Sequence, residues 1–155
     1  MPIDSMQTDR EANVPNATPL TSRRERLRFA DFRFSRTPAG QCTAEVHLEW
    51  IDGERYVGRS TGQSSELADL RIVGEATLRA LEEFSGGSLH FDIFGVKLIR
   101  AFDSNLIIVA VTVKGGDGPR RLLGCQLAER DSHNAAVIAV LNATNRLLGN
   151  FIATR

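Results

Sequence analysis

The feature that most constrains this chain is a duplication. Three strand-like runs and an amphipathic helix, closed by Gly86-Gly87, are followed by three more strand-like runs and a second helix. Ala76-Thr77-Leu78-Arg79-Ala80 in the first helix answers Ala139-Val140-Leu141-Asn142-Ala143 in the second, and Tyr56-Val57-Gly58 in the third strand answers Leu122-Leu123-Gly124 in the sixth. A repeated supersecondary unit is one that cannot bury its apolar face alone, so the two halves are expected to share a core. The predicted fold is α+β: two βββα units, about 27–86 and 87–149, forming two antiparallel three-stranded sheets with two packed helices about a pseudo-twofold axis. With 155 residues, 42% of them hydrophobic, one domain over 23–155 is enough to hold that core.

The periodicities place the elements. Phe29, Phe32 and Phe34 anchor a first strand over 27–34, and Cys42, Ala44, Val46, Leu48 and Trp50 alternate with polar residues in a second, which points His47 to water. Asp52-Gly53 predicts a tight turn into a third strand over 55–61, broken by Gly62, Ser64 and Ser65. A serine hydroxyl there caps a helix whose positive end is complemented by Glu66 and Asp69, and whose stripe is Leu70, Val73, Thr77, Leu81 and Phe84. In the second unit the apolar phase of Leu89, Phe91 and Ile93 shifts after Gly95, which predicts a bulge. Asp103-Ser104-Asn105 then turns the chain into Leu106–Val113, apolar on both faces and so expected to be covered on both sides. Gly115–Gly118 joins this strand to another over 121–129. Asp131 or Ser132 caps the last helix, whose stripe is Ala136, Val140, Ala143 and Leu147 and whose end is expected at Gly149.

Composition narrows the classes of function. Residues 1–22 carry no period and read as a flexible tail, and the cluster Arg23, Arg24, Arg26 and Arg28 reads as a solvated approach to the first strand. A net charge of zero provides no general field for nucleic acid or anionic membrane. No uninterrupted apolar run of about 20 residues and no secretory signal pattern is seen, so the expected location is cytoplasmic, with Cys42 and Cys125 reduced and buried in strands. His47, His90 and His133 show no metal-ligand spacing, and there is no phosphate loop or nucleophile pattern. Asp131 as a helix cap needs no unusual acidity. The expectation is therefore no enzyme, no metal and no cofactor.

The run from Gly124 through Cys125-Gln126-Leu127-Ala128-Glu129-Arg130-Asp131-Ser132-His133-Asn134-Ala135-Ala136 to Leu141-Asn142-Ala143-Thr144-Asn145-Arg146-Leu147 resembles the C-terminal regulatory domain of the 2-isopropylmalate synthase and citramalate synthase family. The resemblance spans about 27–148. It implies a duplicated βββα domain that pairs into a homodimer and holds a feedback amino acid, without the family's catalytic barrel. The function it implies is a non-catalytic, small-molecule-sensing regulatory domain. Its binding residues would be Thr61, Gly62, Ser64 and Ser65 before the first helix and Gly124, Asp131 and Ser132 before the second, with a branched amino acid as the metabolite. Here the family's glycine-rich approach to the first helix is Ser60-Thr61-Gly62-Gln63-Ser64-Ser65. The alternative is a dimeric structural adaptor without ligand. A third reading takes helix, three strands and helix from Ser65 onward as the order of a double-stranded-RNA-binding domain. It fails on charge, because Asp131-Ser132-His133-Asn134 supplies no lysine for phosphate.

Overall fold

The computed structural model describes residues 27–115 and 118–153. The expected flexible tail over 1–22 lies outside the described residues, as do Arg23, Arg24 and Arg26 and the Gly116-Asp117 part of the last hairpin connection. Strands β1 (Arg28–Arg36), β2 (Gln41–Glu49) and β3 (Arg55–Gln63) form one antiparallel sheet in that order, followed by helix α1 (Glu66–Phe84). Strands β4 (His90–Ala101), β5 (Ser104–Lys114) and β6 (Arg120–Ala128) form a second, followed by α2 (Ser132–Ala153). The duplicated βββα layout implied by the sequence is the fold of the chain.

In β2 the alternation works as a burial code: Cys42, Ala44, Val46 and Leu48 are fully enclosed while Thr43, Glu45, His47 and Glu49 face outward. The register sets Val46 opposite Gly58 in the first sheet and Val109 opposite Gly124 in the second. At both glycines the strand lies directly on helix backbone. A Cβ on Gly58 would overlap the Ala76 carbonyl oxygen and the Ala80 nitrogen, and one on Gly124 the Ala139 carbonyl oxygen and the Ala143 nitrogen. Glycine on the strand and alanine on the helix allow this approach, which explains why these short matches recur between the halves.

The helices form a middle layer between the sheets. Helix α1 packs on β3 and β2, and on its other side Gly74 meets Ile93 of β4. There the Arg71 and Arg79 guanidiniums donate to the carbonyl oxygens of Ile93 and Phe91 at 2.9 and 2.8 Å. Helix α2 packs on β6 and β5, and its His133 ring lies 4.4 Å from that of Phe34 in β1. The two helices run side by side in the same direction: their first turns share a cleft, and the Phe84 and Phe151 rings near their far ends are 6.1 Å apart.

Several expectations are corrected. Strand β3 does not break at Gly62 but continues to Gln63, because Cys42 and Gln41 are still there to pair with it. The β4–β5 turn is Phe102-Asp103, both at positive φ (52° and 59°), while Ser104 and Asn105 belong to β5. Helix α2 runs through Gly149 to Ala153. Leu148 is buried and Phe151 and Ile152 pack on the core, and this burial outweighs the roughly 1 kcal/mol penalty of a helical glycine. That 22-residue helix is long and apolar enough to cross a membrane by length and composition, although Asn142, Asn145 and Arg146 interrupt its run in the sequence; much of it is buried between the sheets. His47 lies on the outward face as expected, but Glu45 shields it: its side chain is 16% exposed and its Nε2 lies 2.6 Å from Glu45 Oε1. Cys125 is exposed rather than buried, because it faces away from α2. Finally, β5 is covered on one face only. Ile107, Val109, Val111 and Val113 are buried under the helices, whereas Leu106, Ile108 and Ala110 are half-buried and, among the described residues, no layer lies over them. The predicted bulge is present between Ile93 and Gly95, and it leaves Phe94 outside the pairing and 60% exposed.

Candidate functional site

Parallel helices bring their positive ends to the same place. In this chain that place is a cleft of about 600 Å³ between the two repeats, lined by the first turns of both helices, the end of β1, and β4 and β5. The start of α1 is set by Ser65, whose backbone is extended (φ −161°, ψ 170°) and whose hydroxyl accepts from the Ala68 amide at 3.2 Å. At the start of α2, Asp131 Oδ1 accepts from the His133 amide at 3.0 Å, and the Asp131 carbonyl from Ala135 at 3.1 Å. Asp131 is thus the cap expected of it. Ser132 and His133 follow it into the cleft wall, with Leu70 and Leu98 as apolar lining and Asn105 beside them.

A polar cluster stiffens one wall. Arg36, the last residue of β1, donates from Nε to Ser64 Oγ at 2.9 Å and through its guanidinium to Asp69 Oδ2. Ser64 Oγ donates to Asp69 Oδ1 at 2.8 Å, and the Cys42 thiol lies 3.5 Å from the same oxygen. Burial alone would push the Asp69 carboxyl up, but the hydrogen bonds from Arg36, Ser64 and Cys42 outweigh it and hold the group below the usual carboxylate range. Burial pushes the Cys42 thiol up, and its hydrogen bond to Asp69 adds to the shift, so this cysteine is not primed as a nucleophile. The Arg36 side chain remains 56% exposed, which leaves guanidinium surface at the cleft mouth.

Of the seven residues expected to bind a ligand, the cleft gathers Ser64, Ser65 and Ser132. It does not gather the other four. Thr61 is exposed on the outer side of β3, Gly62 packs toward Ile72 of α1, and Gly124 is pressed onto α2. Asp131 lies around the corner, in a smaller hollow of about 310 Å³ with Gln126, Arg130 and Asn134. Sequence reasoning missed Arg36, Asp69, Leu98 and Asn105, while His133 closes the second loop expected to hold a ligand. Asp69 carried a signal: at the fourth helical position it continues from Leu70 and Val73 toward the buried stripe, and it is 3% exposed. Among the described residues no cluster of three or more His, Cys, Asp or Glu side chains is arranged to hold a metal ion.

No protein-family model matches this chain, and no curated protein sequence is significantly similar to it.

Proposed function

We propose that the chain is a non-catalytic regulatory domain that senses a small carboxylate-bearing metabolite, a branched amino acid being the type compound. The carrying observation is the shared cleft. Two aligned helix N-termini favour a carboxylate there, Glu66 supplies negative charge for an ammonium group, and Leu70 and Leu98 offer apolar contact for a branched side chain. The resemblance to the regulatory domains of the 2-isopropylmalate synthase and citramalate synthase family supports the same reading. The cleft borders both repeats, so an occupant would touch β1, β4 and both helices at once and bias how the halves sit on each other.

The test is a thermal-shift panel of branched amino acids, their 2-oxo and 2-hydroxy acid analogues and acyl-coenzyme A compounds. A ligand that binds only the native state at one hundred times its dissociation constant adds about 2.7 kcal/mol of stability. The expected result is a rise in Tm with one branched compound that Arg36→Gln and Leu98→Gln each abolish. A flat response across the panel at millimolar concentration overturns the proposal.

A further inference from the structure

We propose that the outer face of the second sheet is the contact surface for a second copy of this chain, packed sheet on sheet about a twofold axis parallel to β5. The face carries an apolar patch that no layer of the described residues covers. Phe94, Ile99 and Leu123 stand on it at 60%, 42% and 69% exposure, around Ile108 at its middle. These are three of the six exposed large hydrophobic residues among those described, and a fourth, Phe102, lies in the turn at the end of the same sheet. A β-strand with aliphatic residues on both faces is a strand built to be covered twice, and the described residues cover β5 once.

Apolarity here is not a property of the repeat. Aligning the halves on their matched glycines, Gly58 and Gly124, sets Glu45 against Ile108, His47 against Ala110 and Arg59 against Cys125. In the first sheet these outer positions are charged and tied across strands: Arg59 to Glu45 at 2.7 Å, and Arg28 and Arg55 to Glu49 at 2.7 and 3.2 Å. The second sheet carries Ile108, Ala110 and Cys125 at three of these positions, while charge persists at Asp92, Lys97 and Arg121. The first face satisfies its charges with its own ion pairs in water, and the second presents apolar side chains to it.

Charge placement identifies the occupant and its orientation. One row across the sheet reads Asp92, Thr112, Arg121. A twofold axis along β5 lays β4 of each copy over β6 of the other, so Asp92 of one copy faces Arg121 of the other, twice. The same axis sets Lys97 over Cys125 instead of over a second cation. An axis across the strands would bury the charged row on the Ile99 row. Arg121 lies with its guanidinium 3.7 Å from the Phe94 ring centroid and forms no ion pair among the described residues, and Asp92 has only a loose, exposed pair with Lys114 of its own chain at 3.8 Å. With strands about 4.8 Å apart and a rise of about 3.3 Å per residue, the face offers roughly 400 Å² of flat footprint per copy, before side-chain relief. That matches the size at which apolar patches mark contact sites, and it falls at the small end of specific interfaces, so the dimer should dissociate on dilution.

The experiment is sedimentation velocity of the intact chain over a dilution series, with circular dichroism to confirm folding of each variant. The expected result is a species of twice the 17.0 kDa chain mass that gives way to monomer on dilution. Leu123→Glu, at an exposed position, should leave the monomer folded and shift the transition to at least tenfold higher concentration. Asp92→Arg and Arg121→Asp should each weaken the dimer, and mixing the two variant proteins should restore it, because both cross-pairs are then opposite in sign. A monomer at every concentration overturns the proposal. So does a dimer indifferent to Leu123→Glu, and so does failure of the mixed variants to recover what each lost alone.

Discussion

Gly124→Ala puts a number on the closeness of the strand–helix contact that organises each repeat. The added methyl would overlap the Ala139 carbonyl oxygen and Ala143 nitrogen and come within 2.8 Å of the Ala143 Cα, all of them main-chain atoms that cannot rotate away. Overpacking of a filled interior costs about 1–3 kcal/mol, and immovable neighbours place this case at the upper end. Alanine recovers about 0.5–1 kcal/mol by restricting the unfolded chain, leaving a net loss of about 2–2.5 kcal/mol. For a chain of this size each kcal/mol is worth about 2–4 °C in Tm, so the melt should fall by about 4–10 °C. Gly58→Ala should do the same in the first repeat, where the Ala76 carbonyl oxygen is the obstacle. Gly149→Ala is the internal control: it lies in α2 with open space around it, and should raise stability by up to about 1 kcal/mol. Differential scanning calorimetry of the three variants decides the matter. A Gly124→Ala protein that melts with the wild type would refute the reasoning and return Gly124 to the ligand site that the family resemblance implied.

Asp69 should make stability fall in acid. Its folded carboxyl is held below the ordinary value of 3.8, so its contribution is complete above that pH and disappears as the pH drops through the lower folded value. Urea midpoints between neutral pH and pH 2 should show this slope, and Asp69→Asn should flatten it while costing about 1–3 kcal/mol at neutral pH, the smaller end being favoured because Arg36 is half exposed. At concentrations where the chain is monomeric, a chromogenic thiol reagent should label Cys125 in the folded protein and Cys42 only after unfolding; prompt labelling of both would contradict the burial described. Fragments 27–86 and 87–155, expressed separately, should show little amide protection and should rescue each other on mixing, because Gly74 in one half packs against Ile93 and Val140 in the other. A well-protected monomeric half would refute the shared core.

The elements were legible wherever a single face was buried. The strict alternation of β2 is realised from Cys42 to Leu48, and the stripe of α1 is buried as expected, although Ile72, Ala76, Leu78 and Ala80 outside that stripe are buried as well because the helix packs on both sheets. Boundaries failed where tertiary packing overrode local signals, as at Gly149, where Leu148 and the residues beyond it are held by the core. The Phe102-Asp103 turn has no glycine, so its positive dihedrals left no mark in the sequence. The candidate site was legible only in part. Ser65 and Asp131 announce helix starts locally, but Arg36 joins them through a chain separation of 28 residues to Ser64, a relation no local pattern carries. Gly124 was misread for a related reason: a glycine needed for helix contact and a glycine needed for a ligand look alike until the opposing backbone is in place.

A chain made of two similar units has two similar outer faces, at opposite ends of a three-layer stack. If both were apolar, each molecule would offer a sticky surface at either end, and copies would add in file without limit. The crossed pairs of Arg59 with Glu45 and of Arg28 and Arg55 with Glu49 remove one of those ends. Any association through the remaining face therefore terminates after one step, and duplication of the unit does not carry with it the hazard of a growing fibre.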